Sequence, residues 1–232
     1  MSSYFSFFGD NAGLLLELTL GHIGLSVLAL VIAIVLAIPL GAWIGHLHRF
    51  SFLVVSVGNV LRSLPTLAII AIGIALYGFG VVNITVALVI LGFPLVLTNT
   101  FTAVEEVDPG TVEAARGMGM TGWQILTRVE LPSAIPLIFS GIRTSWVYIV
   151  ATAYLATFAG SQGTLGDIIS NIEGYNLSGV LAAATISIIL AFLGDALLGL
   201  AERALTPTGL QLLAQRRPTT AAAPAAPAGA AA

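Results

Sequence analysis

Seven of the chain's nineteen Asp, Glu and Arg residues fall between Glu105 and Glu130, and any polar chemistry should be sought there first. In helical register, Val112, Ala115, Trp123, Ile125, Leu126 and Val129 mark an apolar side. Glu113, Arg116, Arg128 and Glu130 mark a polar one. No catalytic set emerges from these residues. The chain has no cysteine to serve as nucleophile or thiolate ligand, and its three histidines lie outside any His/Asp/Glu cluster. It also has no lysine, and so no G-x-x-x-x-G-K-[ST] phosphate loop. His46 and His48 stand two apart at the end of an apolar run and read as interfacial residues. The stretch can instead present charges beside the small residues Ala114 and Ala115, which let another surface approach closely while the charges fix its register. A docking element and a plain amphipathic connector both fit that pattern.

The elements that position these residues follow from composition. With 57% hydrophobic and 8% charged residues in 232, the chain is an integral membrane protein, far from the roughly one-quarter charge of soluble domains. A net charge of −3 and eight scattered arginines form no basic face, which excludes nucleic acid as a partner. Since a bilayer core takes roughly 20 apolar residues per helix, five stretches qualify as spans. They are Ile23 to Ile44, Phe52 to Leu76, Val81 to Val104, Ala134 to Phe158 and Val180 to Leu200. The expected fold is an all-α polytopic bundle. Residues 1–22 read as an outer N-terminal segment that stays in the mature chain, and residues 206–232 as a disordered Ala/Pro-rich tail.

Positive charge near span ends marks the cytoplasmic side. With the N-terminus outside, Arg49, Arg116, Arg128, Arg203, Arg216 and Arg217 are all cytoplasmic, and so is the C-terminus. The polar stretch then faces the cytoplasm. Its local signals are those of a hairpin: Asp108 before Pro109 starts a helix, and Gly117 and Gly119 interrupt it. Thr121 and Gln124 form a capping box for a second helix, which Leu131 and Pro132 should end.

Within the spans, Arg62 and Pro65 interrupt the second, where the proline should kink or unwind the helix or divide it into two half-helices. Arg62 and Arg143 lie too deep to remain without partners, and Asp195 is a candidate partner for either. These residues, with Pro65 and Asn99, either border a pathway or gate or form interhelical contacts. Trp146, Tyr148 and Tyr154 could offer cation–π contacts or simply pack. Asp167 is either a helix cap or a docking residue on the outer side. Two Gly-Asp pairs, at Asp167 and Asp195, leave an intramembrane aspartyl protease as a rival class, and a scaffold without transport is another.

Glu113-Ala114-Ala115, then Gly119, Val129 and Leu131-Pro132 at fixed spacing, resemble the EAA motif of permease subunits of binding-protein-dependent ABC importers. The resemblance extends over about residues 59–205, making 23–205 a permease domain with its coupling hairpin at 108–132. It implies that the hairpin seats in a separate ATPase subunit through Glu113, Ala114, Ala115 and Gly119. ATP and magnesium would bind on that partner, leaving this chain without a cofactor. Also implied are a second permease subunit, identical or related, an extracytoplasmic substrate-binding protein, and a bacterial or archaeal inner membrane. "DPGTVEAARGMGMTGWQILTRVELPSAIPLIFSGIRT" and "GTLGDIIS" look like the branch that imports glycine betaine, choline or carnitine. Methionine-type amino-acid permeases share similar segments and supply the alternative substrate class. "FAGSQGTLGD" departs from that branch, whose loops carry a glycine-richer run.

Overall fold

The computed structural model describes residues 2–48, 50–207 and 209, so most of the tail expected at 206–232 lies outside the described residues, as do Arg49, Arg216 and Arg217. Among the described residues all regular structure is helical. A short helix α1 (Ser2–Asp10) precedes α2 (Ala12–Leu47), so the expected outer segment runs without a loop into the first span. Next come α3 (Ser51–Ser63), α4 (Thr66–Tyr77) and α5 (Val81–Glu105). The polar hairpin follows as α6 (Pro109–Gly117) and α7 (Gly122–Ile125), then a π-helical turn (Leu126–Glu130) leads into α8 (Leu131–Thr152). A 3-10 segment (Ala153–Ala159), the short α9 (Gly166–Ile169) and α10 (Ile172–Leu205) complete the fold.

Four continuous helical stretches are long and apolar enough to cross a membrane: Ala12–Leu47, Val81–Glu105, Gly122–Ala159 and Ile172–Leu205. The second expected span is instead two helices, α3 and α4, meeting at 88°. The break falls at Leu64 and Pro65, both extended, because proline has no N–H for the helix ladder and its ring collides with the preceding turn. The pair still runs from one side of the bundle to the other. At one end the Ser51 hydroxyl donates to Glu105 beside the hairpin, and at the other the Gly80 N–H donates to the Ala159 carbonyl, 2.7 Å away. Among the described residues there are four continuous apolar spans, and five when the bent pair is counted as one.

Packing explains which helices hold the bundle. Lipid tails are as apolar as leucine, so helices associate through close fit rather than through hydrophobic contrast. Along α2 a stripe of small residues, Ala29, Ala33, Ala37, Gly41 and Gly45, recurs every four positions and is buried. A Cβ on Gly41 would sit 2.9 Å from the Leu97 carbonyl oxygen, and one on Gly45 would sit 2.8 Å from that of Phe101. The stripe therefore sets α2 directly on α5, its most extensive neighbour. On its other side α5 meets α8, where Gly92 and Gly141 allow the same approach. Ile84, Leu88 and Val96 join Ile149 and Val150 in the core between them.

Candidate functional site

The hairpin is built as its caps dictate. The Asp108 carboxylate accepts from the Thr111 N–H and hydroxyl, both at 2.8 Å, and Pro109 occupies the first helical turn where an N–H would go unused. Those two bonds, the hydroxyl first, hold the Asp108 carboxyl below the ordinary carboxylate range. Gly119 makes the turn with φ +82°, a conformation that side chains other than glycine rarely adopt. Thr121 and Gln124 then form the reciprocal capping box.

The second helix does not end at Leu131 and Pro132. It passes through the π turn at Leu126–Glu130 directly into α8, giving one continuous stretch to Ala159. The widened turn lies where the Pro132 ring would otherwise meet the Arg128 carbonyl, which is why proline is tolerated there. The hairpin is thus continuous with a span through the π turn.

Two faces result, and they differ from the sequence expectation at two residues. Glu113, Ala114 and Gly119 are exposed, together with Met118 and Trp123, which are 76% and 67% exposed. Ala115, Ile125 and Leu126 point inward, whereas Val129, Leu131 and Pro132 are half-buried at the entry to α8. Trp123, counted on the apolar side, therefore points out because α7 is short and only Ile125 turns back to the bundle. Glu130, counted on the polar side, is only 1% exposed. Its carboxylate lies 2.7 Å from His46 Nδ1 on the last turn of α2. An unpaired carboxylate at that depth would cost about 3–5 kcal/mol, which accounts for the partner. A histidine near an apolar run's end and a glutamate before Leu-Pro carried no sign of this pairing in sequence.

The intramembrane polar residues separate into three groups. Arg143 on α8 binds Asp195 on α10 at two points, both 2.8 Å, and Glu202 at 3.3 Å. Arg62, at the α3 end beside the Pro65 elbow, donates to Thr98 Oγ1 at 2.6 Å and to the Pro94 carbonyl at 3.3 Å, both on α5. Asn99 turns its amide back to the Leu95 carbonyl at 2.7 Å and packs its Cβ toward Gly141. So Asp195 is the partner of Arg143 and not of Arg62. Asp167, on the opposite side from the hairpin, accepts from the Thr157 hydroxyl and the Gly163 and Thr164 N–H groups, capping its own loop. The two aspartates of the protease alternative thus serve different partners and share no proton.

Beside the Arg143–Asp195 contact runs an apolar groove of about 610 Å³, lined by Val147, Ala151, Tyr154, Ser187, Phe192 and Asp195 among others. A smaller hollow of about 410 Å³ shares Asp195 and adds Arg143, Thr144 and Tyr148. Trp146 is not part of either; it is buried, with its indole N–H donating to the Ala191 carbonyl.

The chain is a helical membrane bundle with a capped hairpin between its spans. The chain belongs to the family of binding-protein-dependent transport system inner membrane components, which matches residues 33–207. It is 38% identical to the glycine betaine/carnitine/choline transport system permease protein OpuCB of Bacillus subtilis, over 91% of this chain and 97% of that one. Identity to the choline transport system permease protein OpuBB of the same organism is 38%, over 89% and 95%. It is 34% to the osmoprotectant import permease protein OsmW of Salmonella typhimurium, over 87% and 96%. Among solved structures, the inward-facing MetNI methionine ABC transporter superposes with a TM-score of 0.74 over 85% of this chain and 99% of that one, at 22% identity. That likeness concerns the fold. The chain is a multi-pass membrane transport subunit and not an enzyme.

Proposed function

We propose that this chain forms the translocation pathway for a small osmoprotectant such as glycine betaine, choline or carnitine, driven by a separate ATPase that engages its hairpin. The observation that carries the substrate class is the near full-length similarity to several permeases whose names specify those compounds. The amino-acid alternative has a shared fold behind it, at 22% identity. The chemistry around Asp195 is consistent with the choice. Tyr154 lines an apolar groove and Tyr148 the adjoining hollow, both with exposed rings, and aromatic faces attract quaternary ammonium groups. Arg62, Pro65, Asn99, Arg143 and Asp195 are assigned to the pathway or its gate on the same reading.

Coupling is assigned to Glu113, Ala114, Ala115 and Gly119, with Val129, Leu131 and Pro132 carrying the hairpin into α8. Exposed Met118 and Trp123 flank the charged tip and offer the partner an apolar contact. The complete importer contains two ATPase subunits, a second permease that is identical or related, and an extracytoplasmic binding protein. ATP and magnesium reside on the ATPases. Orientation follows the arginines, with the hairpin in the cytoplasm of a bacterial or archaeal cell. The test is Glu113→Lys: the variant should insert normally yet lose ATP-driven uptake and copurifying ATPase. Normal uptake by that variant would defeat the docking assignment.

A further inference from the structure

The hairpin is joined covalently to α5 and α8, yet α2, the helix that packs most extensively on α5, also touches it through a side-chain contact. His46 lies on the last turn of α2, and its Nδ1 is 2.7 Å from Glu130 Oε2 across 84 residues of sequence. Its Nε2 edge faces the start of α7, since a Cβ on Gly122 would lie 3.3 Å away. One imidazole therefore sits between the first residue of α7 and the last residue of the π turn. Glu130 is buried and His46 is 22% exposed, so the contact is shielded rather than solvated.

We propose that the His46–Glu130 contact is a positioning latch that carries movement of the ATPase-engaged hairpin into α2, in parallel with its covalent path into α8. This rests on the reading of the hairpin as the ATPase dock. The π turn supplies the mechanical reason. It interrupts the regular i to i+4 ladder between α7 and α8, so the backbone is not a uniform rod for force applied at α7. A side-chain tether at the turn's final residue passes that force to a second helix before it dissipates. From Gly45, one residue before His46, the small-residue stripe leads back along α2 against α5. Both neighbours of the core would then move with the hairpin.

The experiment uses the assembled importer, permease with its ATPases and binding protein, in liposomes, and reads solute imported per ATP hydrolysed. His46→Ala and Glu130→Ala should each lower that ratio at least fivefold while ATPase still copurifies in normal amount. His46→Gln, which can still donate to the carboxylate, should recover most of it. The His46→Ala/Glu130→Ala double variant should be no worse than the poorer single. A ratio unchanged in the alanine variants, or a loss that tracks only the amount of assembled complex and is the same for His46→Gln, would overturn the latch. Failure of the ATPase to copurify with the unaltered permease would instead defeat the docking reading beneath it.

Discussion

Arg143 Nε and Nη2 meet the two carboxylate oxygens of Asp195 at 2.8 Å each, tying α8 to α10 by a parallel two-point contact. Both side chains are about a third exposed in the single chain, at 36% and 32%. A charge pair within two spans requires water or protein over that exposed part, which favours a pathway or a facing subunit over lipid.

Removing one member of this pair should be worse than neutralising both. Arg143→Gln and Asp195→Asn should each reduce uptake by at least about tenfold, in line with the about 1.4 kcal/mol that a tenfold effect represents. The double variant should regain insertion and thermal stability but not transport, because neither member is then left as an uncompensated charge while the charged contact itself stays absent. Full recovery of uptake in the double variant would make the contact purely architectural.

The α2 and α5 contact should be intolerant of any added carbon. Gly41→Ala places a Cβ 2.9 Å from a backbone oxygen, and overpacking of this kind costs about 1–3 kcal/mol. Gly24→Ala, on the same helix with nothing within 4 Å of its Cβ, should be neutral or slightly stabilising. Thermal denaturation of the purified permease in detergent separates the two. Equal midpoints would show that the small-residue stripe does not set the packing.

The hairpin's first cap carries a pH signature. Because the Asp108 carboxyl is held below its unfolded value by the Thr111 hydroxyl and N–H, its contribution is complete above ordinary carboxylate titration. It is lost only as pH falls through the lowered value. Amide protection across α6, corrected for intrinsic exchange, should stay flat through and above the ordinary carboxylate range and fall only as pH drops below it. Asp108→Asn should keep much of the cap without that fall, and Asp108→Ala should be loosened throughout. A decline beginning near neutral pH would place the sensitivity in another group.

Much of this was legible in the sequence for identifiable reasons. Asp108-Pro109 and Thr121 with Gln124 act through neighbours three residues away, so local spacing determines them, and both caps form. Pro65 marked the interrupted span because a missing N–H disrupts any helix, and the structure sharpens the interruption to an 88° turn. Asp195 was recognisable as a partner for an arginine within a span, since few intramembrane carboxylates existed to choose among. The His46–Glu130 pairing, also set by tertiary distance, was hidden. Glu130 read as surface because it is charged and was grouped with Arg128 on the polar side of the hairpin, yet the approach of α2 buries it against His46. Pro132 read as a helix end because the π turn that accommodates it has no local signature. The stripe of five small residues from Ala29 to Gly45, one every four positions, was an available signal left unread, masked by alanines that look unremarkable in any apolar span.

The central claim is that an ATP-coupled hairpin serves a pathway for osmoprotectants, and solute uptake by the complete importer in proteoliposomes addresses it directly. With ATP inside and binding protein outside, labelled glycine betaine, choline or carnitine should accumulate, and methionine should not. The Glu113→Lys permease in the same assay should accumulate none of them. Accumulation of methionine alone would contradict the substrate assignment, and equal uptake without ATP would contradict the coupling.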